Sequence, residues 1–94
     1  MIVNVYYIAI NQEAVERNPK LFRFVYKKSH AVGIQRHKEE NLVYVACRTK
    51  EKRNEDYLLW KKYFNSTILV FKEGITKLEC LGEEGKPLKE LDKD

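Results

Sequence analysis

Between Arg17 and Lys38 the chain carries seven cationic side chains, Arg17, Lys20, Arg23, Lys27, Lys28, Arg36 and Lys38, together with His30 and His37 and no Asp or Glu. Lysine and arginine neutralise phosphates and gain affinity from the counterions they release, while aromatic rings stack on unpaired bases. The stretch NPKLFRFVYKKSH, Asn18 to His30, sets Phe22, Phe24 and Tyr26 among Lys20, Arg23, Lys27 and Lys28. The chemistry these residue types suit is a grip on nucleic acid, of a type the sequence does not specify. The plainer alternative is a solvated helix face in a lysine-rich protein, since most charge runs are that.

Other chemistry is poorly supplied. No nucleophile elbow and no glycine-rich phosphate loop is present, and two of the three aspartates, Asp92 and Asp94, fall at the C-terminal end. A paired-carboxylate or two-metal site is therefore not expected. His30, His37, Cys47 and Cys80 are the only soft ligand set; they contain neither a close cysteine pair nor histidines four residues apart, so no metal and no cofactor are expected. Metal-independent RNA cleavage needs less, an imidazole that exchanges a proton near neutrality and a cation beside the phosphate. His30 and His37, near Lys28, Arg36 and Tyr26, define that alternative. The principal expectation is an accessory or regulatory nucleic-acid-binding protein rather than an enzyme.

The elements that must position these residues can be read from periodicity. Ile2 to Ile10 is apolar on both alternating faces, the pattern of an interior strand. Asn11 then suits the cap of a helix opening Gln12-Glu13-Ala14. Ala14, Val15, Leu21, Phe22 and Val25 recur at helical spacing across Pro19, with Lys20, Arg23 and Lys27 opposite, which predicts a helix that restarts at Asn18-Pro19. In that helix Phe22 and Phe24 are expected mostly in the core. A strand presenting Phe22, Phe24 and Tyr26 on one face is the competing reading of Lys20 to Tyr26.

Ala31 to His37 and Leu42 to Arg48 read as a β-hairpin with the charged tip Lys38-Glu39-Glu40-Asn41. A charged loop, Thr49 to Arg53, precedes a helix capped by Asn54 and ended by Asn65-Ser66. Thr67 to Phe71 is a further apolar strand, and Lys72-Glu73-Gly74 is expected to turn the chain into a last one, Ile75 to Leu81.

The resulting fold is α+β, with the βαββαβ order of ferredoxin-like domains plus an added C-terminal strand, and helices on one face of an antiparallel sheet. The boundaries are one domain over residues 1–82 and an acidic, flexible tail over 83–94. RNA-recognition domains resemble this order and carry aromatics on their first and third strands, where Tyr6 or Tyr7 and Tyr44 fall here. The basic-Gly-aromatic pattern of their third strand is absent from EENLVYVACR.

Charge distribution adds a partner expectation. The net charge is +4, yet from Glu73 onward seven acids stand against four lysines, so a basic segment is joined to an acidic end. A second sheet face that stays apolar implies a cover, and a homodimer is expected to provide it; a protein-interaction module using that face is the remaining alternative. High Lys and Glu with little Gln is a balance common in proteins of heat-loving organisms. The N-terminal run MIVNVYYIAIN has no preceding basic residues and no cleavage-type small residues, and is too short to span a bilayer. With two widely spaced cysteines in apolar runs, Cys47 and Cys80, this leads to the expectation of a cytoplasmic protein with buried free thiols and no membrane partner.

Overall fold

The doubly apolar N-terminal run forms β1, Ile2–Asn11, and it lies inside the sheet. In the computed structural model, which describes residues 1–64 and 68–86, there follow α1 (Gln12–Arg17), α2 (Pro19–Lys28), β2 (Gly33–His37), β3 (Leu42–Cys47), α3 (Lys50–Phe64) and β4 (Ile68–Lys77). Among the described residues the architecture is a mixed α+β layer pair: three helices, and a four-stranded sheet in the order β2-β3-β1-β4 with every neighbouring pair antiparallel.

Asparagines punctuate the first crossover. The Asn11 side-chain oxygen accepts the backbone N–H groups of Glu13 (2.8 Å) and Ala14 (3.3 Å). Asn18 both closes α1, donating its N–H to Val15 O, and opens α2, its Oδ1 accepting from Leu21 N–H, with Pro19 in the first turn where a missing N–H costs nothing. Lys20 to Tyr26 is therefore helical, and the strand reading is overturned. A strand would have put Phe22, Phe24 and Tyr26 on one face. The helix instead buries Phe22, Val25 and Tyr26 and leaves Phe24 46% exposed, so Phe24 is not the core residue expected.

One face of the sheet, Ile8, Ile10, Val43 and Val45, packs against Val15, Phe22, Val25, Tyr26, Trp60 and Phe64 of the helices. Trp60 centres this core, with the Phe22 ring 5.3 Å and the Phe64 ring 5.7 Å from its own. Burial of these aromatics and branched residues is the main source of stability, at roughly 1.5–3 kcal/mol for each large apolar side chain.

The second helix starts earlier than its sequence suggests. Thr49, not Asn54, caps it: Thr49 Oγ1 accepts Lys52 N–H at 3.2 Å and Thr49 O accepts Arg53 N–H at 3.1 Å. The expected loop is the first turn of α3, and its charge hid the fact that Arg53 and Asp56 point inward. Arg53 lays its guanidinium 4.3 Å from the Phe71 ring centre and donates to Lys72 O. Asp56 accepts His30 N–H (2.8 Å) and the Cys47 thiol (3.4 Å), tying α3 to β3 and to the α2–β2 connection. Burial, reinforced by Asp56, pushes the Cys47 thiol far above its ordinary pKa, so it stays a protonated donor. Cys80, expected to be buried in a strand, is instead a free, exposed thiol, because it falls in the helical turn Leu78–Cys80 that buries no side chain.

The expected fifth strand is not formed. Lys72-Glu73-Gly74 does not turn; β4 runs unbroken to Lys77 and pairs with β1 from Ile2↔Lys77 to Ile8↔Phe71 and beyond. Gly74 reads as a breaker but has a packing reason instead, since a Cβ there would meet the Tyr7 ring at 3.1 Å. A single helical turn, Leu78–Cys80, ends the strand.

The second face of the sheet, Val5, Tyr7, Ala9, Tyr44 and Ala46, is buried within the single chain, with Leu42 and Leu81 against it. The apolar face expected to recruit a second copy or a protein partner is thus not exposed. Exposed apolar side chains sit elsewhere, at Met1, Ile2, Phe71, Ile75 and Leu78 around the outer β1–β4 corner, and at Phe24 and Leu58 on the helices.

The segment expected as a loose tail begins docked. Gly82 N–H donates to Val32 O and Gly85 N–H to Ala31 O. Glu84 contacts His30 Nδ1 and the Lys52 ammonium. The Asn65-Ser66 helix end, the Thr67 strand start and the tail beyond Lys86, with Glu90, Asp92 and Asp94, lie outside the described residues. No helix among the described residues is long and apolar enough to cross a membrane.

Candidate nucleic-acid interface

The fold divides the seven cations into groups. Lys20, Arg23, Lys27 and Lys28 share the outward side of α2, because steps of three and four residues return to one helix face. Arg17 lies one helix earlier and is paired with Glu13 at 3.6 Å, both side chains exposed. Arg36 sits on β2 two residues from Ile34, which packs against the helix-side core, so Arg36 projects on the helix side of the sheet edge. Lys38 is in the hairpin tip. That tip meets the start of α1, where Gln12 N–H donates to Asn41 O, whereas α2 runs away from it toward Ser29 and the start of β2. Lys38 and the Lys27–Lys28 pair are consequently at opposite ends of β2, roughly 17 Å of strand apart. Lys20, Arg23, Lys27 and Lys28 thus share one ridge, while Arg17 lies on the preceding helix, Arg36 on the helix side of the β2 edge and Lys38 in the hairpin tip.

The ridge has an aromatic seam that the sequence did not reveal. Phe24, exposed among the four cations, meets Tyr63 of α3 edge to face, ring centres 5.8 Å apart. Lys28 Nζ lies 4.9 Å from the Phe24 ring centre and Lys62 Nζ 5.6 Å from that of Tyr63. Two ammonium groups therefore flank an aromatic pair at the α2–α3 junction. Lys61 lies on the β4 flank of α3 instead, its Nζ 5.7 Å from the ring of Tyr57, which meets Phe71. The only hint in the sequence was the run Lys61-Lys62-Tyr63, in a helix that starts about one turn earlier than its sequence suggests.

His30 and His37 are separated by the length of β2 and do not form a pair. Both ring nitrogens of His30 face carboxylates, Nε2 with Glu55 (3.1 Å) and Nδ1 with Glu84 (3.3 Å). Burial opposes its charge, but Glu84, Asp56 and Glu55 outweigh that and raise its pKa.

His37 belongs to a different group, on the sheet face away from the helices. It stacks on Tyr44, ring centres 4.2 Å apart. The Tyr44 hydroxyl donates to Glu40 (3.0 Å) and accepts from Lys72 (2.7 Å), and Lys72 also bonds Glu40. The hydrogen bonds from Tyr44 and Lys72 hold the Glu40 carboxyl below its usual range. Reading Lys72 as a turn residue concealed this cluster; in a continuous β4 it alternates onto the Tyr44 side. Nearby, Arg36, His37, Lys38, Glu39 and Glu40 line an open pocket of about 380 Å³ whose charges are mixed. Among the described residues no group of His, Cys, Asp and Glu is arranged to hold a metal ion.

No protein-family model, no curated protein and no solved structure matches the chain.

Proposed function

We propose that the chain is a ferredoxin-like, nucleic-acid-binding accessory or regulatory protein whose α2 ridge grips the phosphate backbone. The strand order β2-β3-β1-β4 with two strand–helix–strand crossovers supports the fold assignment, which alone fixes no function. The observation that carries the functional reading is Phe24: an aromatic ring left in water at the centre of Lys20, Arg23, Lys27 and Lys28, backed by Tyr63 and Lys62. Cations supply backbone affinity without sequence preference, and the ring offers a base a stacking surface. This combination favours single-stranded over duplex partners, because an unpaired base is free to stack. Lys27→Glu with Lys28→Glu is expected to abolish binding of a labelled single strand, while Lys38→Glu leaves most of it. Equal affinity of the double variant and the parent disproves the assignment.

A second reading, metal-independent RNA cleavage, is favoured by the Glu40–Tyr44–Lys72–His37 cluster rather than by His30. His37 would take the 2′-hydroxyl proton as that oxygen attacks phosphorus, the Lys72 ammonium would offset the charge gathering on the phosphate, and the P–O5′ bond would break as the imidazole returns its proton to the leaving oxygen. The products are a cyclic phosphate and a 5′-hydroxyl. Incubation of RNA in EDTA tests it: fragments that disappear with Lys72→Met or His37→Ala support cleavage, and RNA left intact by the parent protein excludes it.

A further inference from the structure

β4 ends the sheet, and its outer edge meets no other strand among the described residues. The direction of its free backbone groups can be derived. Leu78 N–H donates to Met1 O at 2.9 Å, so in the alternation of an antiparallel ladder Thr76, Gly74 and Lys72 direct their backbone groups to β1. Lys77, Ile75 and Glu73 direct theirs outward. The side chains of these three share the helix side with Phe71, whose ring meets Tyr57 of α3 at 5.0 Å. Ile75 is 68% exposed, and among the described residues Glu73 and Lys77 have no ion pair.

We infer that β4 is a homodimer interface, two copies pairing antiparallel through their outer edges about a two-fold axis at Ile75. In that register Ile75 opposes Ile75 of the second copy and Glu73 opposes its Lys77, each pair exchanging both backbone hydrogen bonds. On the other face Gly74 meets Thr76, two residues small enough to let the strands close. Shifting the axis removes the match. Centred on Glu73 or on Lys77 the strands oppose like charges, and centred on Gly74 or Thr76 they set Ile75 against a charge. Charged side chains on an edge strand commonly block pairing; here their order makes the edge complementary to itself and to little else. The two-fold axis stands perpendicular to the joined sheet, so both helix layers lie on one side and both α2 ridges face the same way. That last consequence matters only if the nucleic-acid reading holds, whereas the dimer does not depend on it.

The test is the mass of the protein in solution without nucleic acid, by sedimentation equilibrium at low ionic strength. The parent chain is expected as a dimer. Glu73→Lys alone and Lys77→Glu alone each oppose like charges twice, and each should weaken the dimer by about tenfold or more. Mixing these two variants should restore association as a heterodimer, and the double swap E73K/K77E should dimerise like the parent. A monomeric parent, or single variants as dimeric as the parent, overturns the proposal; a restoring mixture also shows that the single variants are folded.

Discussion

The Tyr26 hydroxyl is buried beside Phe22 and Val25 with no hydrogen-bond partner among the described residues. Burial, with a contribution from Cys47, pushes its pKa up to about 12. An unsatisfied buried hydroxyl costs on the order of 1 kcal/mol, and phenylalanine fills the same space without it. Tyr26→Phe is therefore expected to leave stability unchanged or raise it by up to about 1 kcal/mol, as read from chemical denaturation. A loss beyond about 1 kcal/mol would show that the hydroxyl is bonded in solution. At this scale the sequence was informative about types and not about direction. Val25 and Phe22 were legible as core from their spacing, but Phe24 and Arg53 were exchanged in effect. The aromatic faces water and the arginine is buried, because cation–aromatic contacts on α3 and β4 stabilise an arrangement that hydropathy ranks the other way.

Among the elements, the caps of α1 and α2 and the hairpin were the readable parts, whereas the cap of α3 was not. Asn11, Asn18-Pro19 and the Lys38–Asn41 tip each have a local chemical reason that needs no tertiary context, and Asn41 takes the left-handed backbone, φ 58°, that such a tip demands. The β4 break was misread because Gly74 is required by a neighbour, Tyr7, which the local sequence does not contain. Gly85 is a different case. Its φ of +70° favours glycine, and a Cβ would come within 2.5 Å of Lys27 O. Gly85→Ala should thus release the 82–86 return segment at a cost of about 1–3 kcal/mol to its docking. Faster hydrogen exchange at the Gly82 amide, with Val43 and Val45 amides unchanged, is the expected signature. Unchanged Gly82 protection contradicts it.

Across the whole molecule, that return segment joins the C-terminal end to the start of α3 and the α2–β2 connection through Glu84, His30 and Lys52. Two shifts of opposite sign give it a pH window. Glu84 is held low by its bonds from Lys52 and His30, so its contribution is present above about pH 4.5 and is lost as pH falls through its folded value. His30 is raised, so its contribution is complete below about pH 6.5 and is lost as pH rises through its folded value. The Tm difference between the parent and Glu84→Gln should peak between these limits and shrink on both sides. It should not vanish on the alkaline side, because the contact of Glu84 with Lys52 does not depend on His30. All three groups are at least one-third exposed, so the peak corresponds to no more than about 1 kcal/mol. A difference that grows steadily from acid to alkaline pH would contradict the assignment.

The charge asymmetry that suggested a partner is also a property of the whole chain, and the fold resolves it into one ridge and a set of separate cations. The sequence places Lys38 near α2, but the length of β2 carries it to the other end of the sheet. The central claim is that the α2 ridge binds nucleic acid through its phosphates, and a salt titration of single-strand binding tests it most directly. For about four to five neutralised phosphates, log K should fall against log salt with a slope of about −3, and Lys27→Glu with Lys28→Glu should remove binding altogether. Affinity that does not change with salt, or a slope that the double variant leaves intact, would contradict the account.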